Sequence, residues 1–273
     1  MNELSPARPI RVRHQNKSGL VEVTRVEPLT PHMRRIVLSG DVLEGFTTAA
    51  ADDHVKLFFP APGETRPSLP VLGPNGPVFP EGAIRPAARD YTPRRFNPAT
   101  RELSIDFVIH GDGPASSWAE QAGPGQVIGI GGPRGSFLNF DTTGSICLLI
   151  GDETALPAIG RRLEELPPGS RAIALIEVED EAETLALPSA GNLRATWLFR
   201  RGAAPGTADR LLPALRDTCW TDPDIGVWIA GEIAMVRALR DHLIGQRGLP
   251  RAQVKAAGYW KAGEPGAHTK LED

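Results

Sequence analysis

Residues 145 to 150, Ser-Ile-Cys-Leu-Leu-Ile, form an unbroken apolar run that passes straight into Gly151-Asp152-Glu153-Thr154. A run of this kind is expected of a strand buried on both faces, which occurs in parallel sheets flanked by helices. A helix is predicted next, because Ile159, Leu163 and Leu166 recur at helical spacing. Further strands are expected at 172–178, 195–199, 225–230 and 254–257. Helices fit at 208–215 and 233–243, the latter with Met235, Val236, Leu239 and Leu243 on one face. This alternation predicts a doubly wound parallel α/β sheet over residues 143–273. In such sheets ligands gather at the carboxyl ends of the strands, so two corners become candidates. One is Asp152, Glu153, Thr154 and Ala155; the other is Gly231 and Glu232. The first lacks the Gly-x-Gly-x-x-Gly fingerprint and reads equally well as an ordinary strand-to-helix turn.

The first half has a different period. Val55, Leu57 and Phe59 alternate with polar or opposite-facing positions, and so do Leu103, Ile105, Phe107 and Ile109. Short strands with a single helix suggest a small antiparallel β-barrel over residues 1–142. Residues 1–18 read as a loose arm. Residues 60–87 are rich in proline and glycine with little periodicity, and loops of that length are often functional or mobile.

Two segments of this half carry chemistry. Arg89-Asp90-Tyr91-Thr92 offers a guanidinium, an aromatic ring and a hydroxyl within four residues. In an extended segment Arg89 and Tyr91 share a face and Thr92 turns to the other. A flavin needs such a set: a cation for its phosphate, an aromatic neighbour, and a hydrogen-bond donor near N5. Taken alone the segment also reads as a polar strand ending at Pro93. After His110 and Gly111, the run Gly113-Pro114-Ala115-Ser116-Ser117 opens a short helix. Its free N–H groups and the two serine hydroxyls suit a pyrophosphate, although a helix start that binds nothing has the same pattern.

Composition narrows the class. Apolar residues are 41% and charged residues 23%, with a formal charge of −3. That balance argues against general nucleic-acid binding. No secretory signal is expected at Met1–Pro6, no stretch is apolar for long enough to cross a bilayer, and no membrane insertion is expected. Two distant cysteines, Cys147 and Cys219, exclude an internal four-cysteine cluster. A reducing cytoplasm is the expected location.

The order of motifs resembles one family. Arg89-Asp-Tyr-Thr is followed by Asp106-Phe-Val-Ile-His110-Gly, by Gly113-Pro-Ala-Ser-Ser-Trp-Ala119 and by Gly132-Pro-Arg-Gly135. Then come Gly151-Asp-Glu-Thr-Ala-Leu-Pro-Ala158, Trp228-Ile-Ala-Gly-Glu232 and Gly258-Tyr-Trp-Lys261. Together these resemble the siderophore-interacting protein family, within the ferredoxin-reductase-like superfamily. The resemblance spans roughly residues 15 to 265.

It implies an FAD-dependent ferric-siderophore reductase. Arg89 would hold an FAD phosphate, Tyr91 would pack on the flavin or its ribityl chain, and Thr92 would bond the flavin near N5. Asp90 lies inside the same motif. His110 and the Gly113–Ser117 helix start would hold the rest of the cofactor. Asp152, Glu153, Thr154, Ala155, Gly231 and Glu232 would line the nicotinamide-nucleotide site. Tyr259 and Trp260 are read as a tail after the last strand, packing on the surface or, through Trp260, shielding the flavin. The resemblance also favours a monomer.

Many ferric siderophores are anionic, so a basic rim is expected, with Lys56 and Lys261 as candidates and Arg240 or Arg247 beside them; solvated side chains are the plain alternative. The reductant is NADPH or NADH. Glu177, Glu179 and Asp180 at the second strand of this half favour an unphosphorylated ribose, whereas Arg200 and Arg201 at the third suit a 2′-phosphate. The balance leans to NADPH. Two rivals share these features: a flavin reductase of the same fold with another acceptor, and an iron-chelate carrier with no redox step.

Overall fold

The computed structural model describes residues 10–73, 76–111, 113–138, 146–207, 209–220, 222, 224–264 and 266. The chain divides into two compact units, Arg11–Phe137 and a second that contains Leu138–Asp273.

The first unit is a curled antiparallel sheet. In chain order its strands are β1 (Ile10–Arg13), β2 (Ser18–Thr30), β3 (Met33–Ser39), β4 (Val55–Phe59), β5 (Val71–Gly73) and β6 (Gly76–Val78). They are followed by β7 (Ala87–Tyr91), β8 (Arg95–Asn97) and β9 (Glu102–Val108), then by helix α1 (Pro114–Glu120), β10 (Val127–Gly131) and β11 (Gly135–Leu138). Seven strands form the main sheet in the order β7-β4-β10-β2-β3-β9-β8. The edge strands β7 and β8 are consecutive in the chain and joined by Thr92, Pro93 and Arg94 alone. Four Cα steps reach at most about 14 Å, whereas the edges of a flat seven-stranded sheet lie about 29 Å apart. The sheet must therefore curl until its edges approach one another, and Thr92 sits where they do.

The alternation seen in the sequence is the inner face of this curl. Val55, Leu57 and Phe59 are buried, as are Leu103, Ile105 and Phe107, with Ile36, Leu38, Ile128 and Ile130 from neighbouring strands. Each such side chain contributes about 1.5–3 kcal/mol. The proline- and glycine-rich segment is more ordered than its composition predicts. It holds the antiparallel pair β5–β6. Its Leu69 also packs so closely over Gly129 that a Cβ there would lie 2.2 Å from Leu69 Cδ2. Strands of three residues have no room for a period, which is why the sequence hides them.

The second unit contains β12 (Ile146–Asp152), α2 (Leu156–Glu165), β13 (Arg171–Val178), β14 (Asn192–Phe199), α3 (Leu211–Asp217), β15 (Ile225–Glu232), α4 (Ile233–Asp241) and β16 (Val254–Trp260). All neighbours pair in parallel, in the order β14-β13-β12-β15-β16. Helices α3 and α4 bury Leu211, Leu215, Val236 and Leu239, with Leu243 just after α4, against Ile146, Leu148 and Ile150 of β12. Gly151 points the other way: a Cβ on it would lie 2.4 Å from the Ala155 Cβ at the start of α2. Helices thus lie on both faces. The strand order reverses at β12, so the crevice between the ends of β12 and β15 is the topological switch point.

The boundaries differ from expectation in two instructive places. Helix α3 begins at Leu211, and residue 208 lies outside the described residues. Tyr259 and Trp260 belong to β16 itself, because its pairing with β15 continues to Glu232 and Trp260 after an irregularity. They are strand residues rather than a tail.

Candidate functional site

In the first unit the site residues lie along β7 and at the start of α1, which packs against that strand. Arg89 and Tyr91 stand opposite Leu57 and Val55 in antiparallel register, so they share the inner face of the sheet. The Tyr91 ring lies 4.3 Å from that of Phe107 and 6.5 Å from that of Phe59, centroid to centroid. The residue as a whole is half-buried. Burial pushes the phenol above its ordinary range, opposed by the Arg89 charge, so the hydroxyl is neutral at working pH. Arg89 Nη1 donates to the Ala88 carbonyl at 2.8 Å, which orients the guanidinium. Thr92 follows at the crossing and is 7% exposed.

The residues around this segment do other work. Asp90 lies on the opposite face, where Lys56 Nζ donates to it at 2.6 Å across the strands. The lysine expected at a basic rim is therefore ion-paired. Arg94 is buried near Asp106, at 3.7 Å, and Asp106 also accepts two bonds from Arg35 at 2.7 and 2.9 Å. This cluster ties the crossing to β3 and β9, and the sequence reading had not found it.

Helix α1 starts at Pro114, with Gly113 as an N-cap that provides no side-chain bond. Ser117 N–H donates to Gly113 O at 2.8 Å. Ser116 turns inward: it is 2% exposed, and its hydroxyl accepts the His110 N–H at 2.7 Å. It ties His110 to the start of α1 rather than presenting its hydroxyl outward. Ala115 is buried, Ser117 is half-buried, and Pro114 and His110 are exposed.

In the second unit the two predicted corners meet at the switch point through one carboxylate. Asp152 is 5% exposed. Its Oδ1 accepts the Thr154 N–H at 2.9 Å and the Thr154 hydroxyl, and its Oδ2 accepts Glu232 N–H at 3.0 Å and Trp260 Nε1–H at 2.8 Å. Burial, followed by the charge of Glu153, pushes its pKa up to about 6 against those hydrogen bonds. Gly231 is obligatory beside it: φ is +143°, and a Cβ would lie 2.5 Å from Asp152 Oδ2. Ala155 is fully buried at the α2 N-cap.

Glu232 is buried as well, and caps its own helix. It accepts the N–H groups of Ala234 at 2.5 Å and Met235 at 3.1 Å, and that of Ala262 at 3.3 Å. Glu153 is engaged by Arg200, which donates two bonds of 2.6 Å each. Arg200 is 3% exposed, with Glu177 and Glu179 at 3.9 and 3.5 Å. It is thus consumed inside the unit. Arg201, at φ +52°, is exposed and pairs with Glu181 at 2.6 Å.

Two other basic candidates are also committed. Lys261 bonds Glu264 one turn on. Arg247 donates to the carbonyls of Leu215, Arg216 and Thr218 at 3.1, 2.9 and 3.0 Å, closing the end of α3, and stacks 4.5 Å from the Trp220 centroid. Among the described residues no group of three or more His, Cys, Asp or Glu side chains could hold a metal ion.

Residues 22–137 match the siderophore-interacting FAD-binding domain and residues 145–263 the siderophore-interacting protein domain. The NADPH-dependent ferric-chelate reductase of Escherichia coli strain K12 is 37% identical, over 94% of this chain and 98% of its own length. The chain belongs to the siderophore-interacting protein family. A siderophore utilization protein from T. fusca, 39% identical, superposes with a TM-score of 0.88 over 95% of this chain and 98% of that one. The siderophore-interacting fold extends to more distant proteins. A ferredoxin NADP+ reductase from Neisseria gonorrhoeae is 15% identical and matches with a TM-score of 0.58 over 89% of this chain and 99% of its own, a likeness of fold alone.

The donor set of the first unit suits the flavin that this family's domain is named for. Arg89 and Tyr91 share one face of one strand, and α1, whose first turn has no side-chain cap, packs on that strand. A cation and an aromatic ring seated on apolar neighbours, beside a helix whose N-cap makes no side-chain bond, match a phosphate-bearing tricyclic ring.

Proposed function

We propose that this chain is a ferric-siderophore reductase that uses NAD(P)H and FAD to reduce chelated Fe(III) and release Fe(II). Residues 1–142 would bind FAD and residues 143–273 the nicotinamide nucleotide. The observation that carries the reading is the placement of Arg89 and Tyr91 on one face of β7, the strand on which α1 packs, in a chain of this family.

FAD, when bound, takes the two electrons of a hydride and passes them on singly, which ferric iron requires. The chain's residues hold and orient. Arg89 would neutralise a phosphate, and Tyr91 would support the ring with a neutral hydroxyl. Thr92 would offer a hydroxyl donor where the sheet edges approach. In the second unit Thr154 and the ends of β12 and β15 would receive the nucleotide. Because Asp152, Glu153 and Glu232 are taken up by internal bonds, they shape this site rather than touch its ligand. Burial of its pair removes Arg200 from the choice of reductant; Arg201, whose pair with Glu181 is exposed, would exchange that carboxylate for a 2′-phosphate, which favours NADPH. Balance is simple: one NADPH reduces two ferric chelates and releases one proton. Hard oxygen donors hold ferric iron better than ferrous iron, so reduction loosens the chelate. No side chain needs to act as acid or base. We place the protein in the cytoplasm, as a monomer.

The test is direct. The purified protein is supplied with FAD, and bound flavin is read from its visible absorbance. NADPH and a ferric hydroxamate are then added without oxygen, and Fe(II) is trapped by a ferrous-specific chelator. Flavin retention with NADPH-dependent Fe(II) release is expected. A protein that retains no flavin would sink the proposal. One that retains flavin but reduces free flavin or a quinone far faster than the chelate would move the acceptor.

A further inference from the structure

The Trp260 indole is fixed at both ends. Its Nε1–H donates to Asp152 Oδ2 at 2.8 Å, across 108 residues of chain. At the other edge lies Gly206, in the loop after β14 with φ +72°. A Cβ there would stand 2.9 Å from Trp260 Cη2 and 2.9 Å from Glu232 Cγ. The ring is therefore wedged between a carboxylate at the end of β12 and the backbone of a neighbouring loop. The wedge stands at the carboxyl ends of β12, β15 and β16, beside the switch point.

Asp152 holds all four groups best as an anion. Four hydrogen bonds converge on its two oxygens, from Thr154 N–H and O–H, Glu232 N–H and Trp260 Nε1–H. A proton on Oδ2 sets a donor against the Glu232 and Trp260 N–H groups, whereas one on Oδ1 is taken by the Thr154 hydroxyl and leaves Oδ2 a neutral, weaker acceptor for the indole. The charged groups around it are Glu153 on its own turn, Glu232 at the head of α4, Glu177 on β13 and, beyond Glu153, Arg200 after β14. Three are carboxylates, and the arginine is already bonded to one of them. The surroundings thus oppose the charge that the clasp needs.

We propose that Asp152 is a positioning residue for the reductant site, its ionised carboxylate seating the Trp260 ring against the Gly206 loop so that loss of the charge frees the ring. The inference rests on reading these strand ends as the NAD(P)H site. Trp260 moves when Asp152 is neutral, and NADPH binding weakens with it while the capacity to transfer electrons remains.

The experiment uses the full FAD-loaded chain. Tryptophan emission of wild type minus that of Trp260→Phe isolates the Trp260 signal, and it is followed from pH 8 to pH 5. The expected result is a red shift on descending through about pH 6. Asp152→Asn should give the low-pH emission already at pH 8. Its KM for NADPH should rise about fivefold, the loss of one hydrogen bond, with kcat within about twofold. Trp260→Phe, which removes the N–H together with part of the ring, should move KM the same way. If Asp152→Asn does not fold, the wild-type pH series and Trp260→Phe still decide. Trp260 emission that ignores both pH and the Asp152 substitution overturns the inference, even if KM changes, and leaves the site reading intact. Emission that responds while KM for NADPH stays fixed in both variants also overturns it, and puts the fault in the site reading.

Discussion

Arg200, at the end of β14, grips Glu153, at the end of β12, with two hydrogen bonds of 2.6 Å, and β13 lies between their strands. The pair spans the carboxyl edge of the sheet and is almost dry, with side-chain exposures of 3% and 14%. Such a pair is costly to break from one side, because the remaining charge has no water to turn to.

Arg200→Met should therefore destabilise the protein by about 3–5 kcal/mol, leaving Glu153 and Glu177 uncompensated. Thermal unfolding should fall by roughly 10 °C. A loss below about 1 kcal/mol in urea unfolding would show that the pair is solvated in practice.

Arg201→Ala separates the two neighbouring arginines by function. KM for NADPH should rise about tenfold while KM for NADH stays within about twofold, since only NADPH carries the 2′-phosphate. Equal effects on both nucleotides would remove Arg201 from the choice of reductant.

Glu177 makes the stability depend on pH. Burial pushes its pKa up to about 7; Arg200 opposes this, and Asp152 and Glu153 add to it. An unfolded glutamate titrates near 4.3. Between these values the folded chain holds a proton that the unfolded chain has lost, so stability falls as pH rises from about 4 through 7. Glu177→Gln should be more stable than wild type at pH 8 and similar at pH 4. Urea midpoints that stay parallel across this range would refute the assignment.

Asp106 braces the crossing that carries Thr92, through Arg35 and Arg94. Asp106→Ala leaves these cations without their shared carboxylate, and a loss of about 3–5 kcal/mol is expected. FAD affinity, measured by fluorescence titration of the apoprotein, should fall at least tenfold. If stability falls while affinity is unchanged, the brace does not set the flavin segment.

Much of the architecture was legible because its signals are local. The alternation of Val55, Leu57 and Phe59 records one strand with one buried face, and the 146–150 run records a strand covered on both. Strands β5 and β6 were not legible, since strands of three residues have no period to read. In the candidate site, the placement of Arg89 and Tyr91 on one face follows from i, i+2 spacing. The inward turn of Ser116 and the self-capping of Glu232 do not, because each depends on where a backbone N–H happens to lack a partner.

Charges were the hardest to read. Lys56, Lys261, Arg200 and Arg247 look alike in a sequence, yet each has a definite partner: Asp90, Glu264, Glu153 and three carbonyls at the end of α3. A cation is spent or available according to what the fold brings beside it, and desolvation makes that choice binding.

The sequence by itself determined the longer strands and helices and the change of period between the halves, since these rest on neighbouring residues and backbone geometry. Tertiary structure alone decided that Asp152 meets Trp260 across 108 residues and that Arg200 faces inward. Such contacts follow from strand order, and strand order is fixed by how all the buried faces are covered at once.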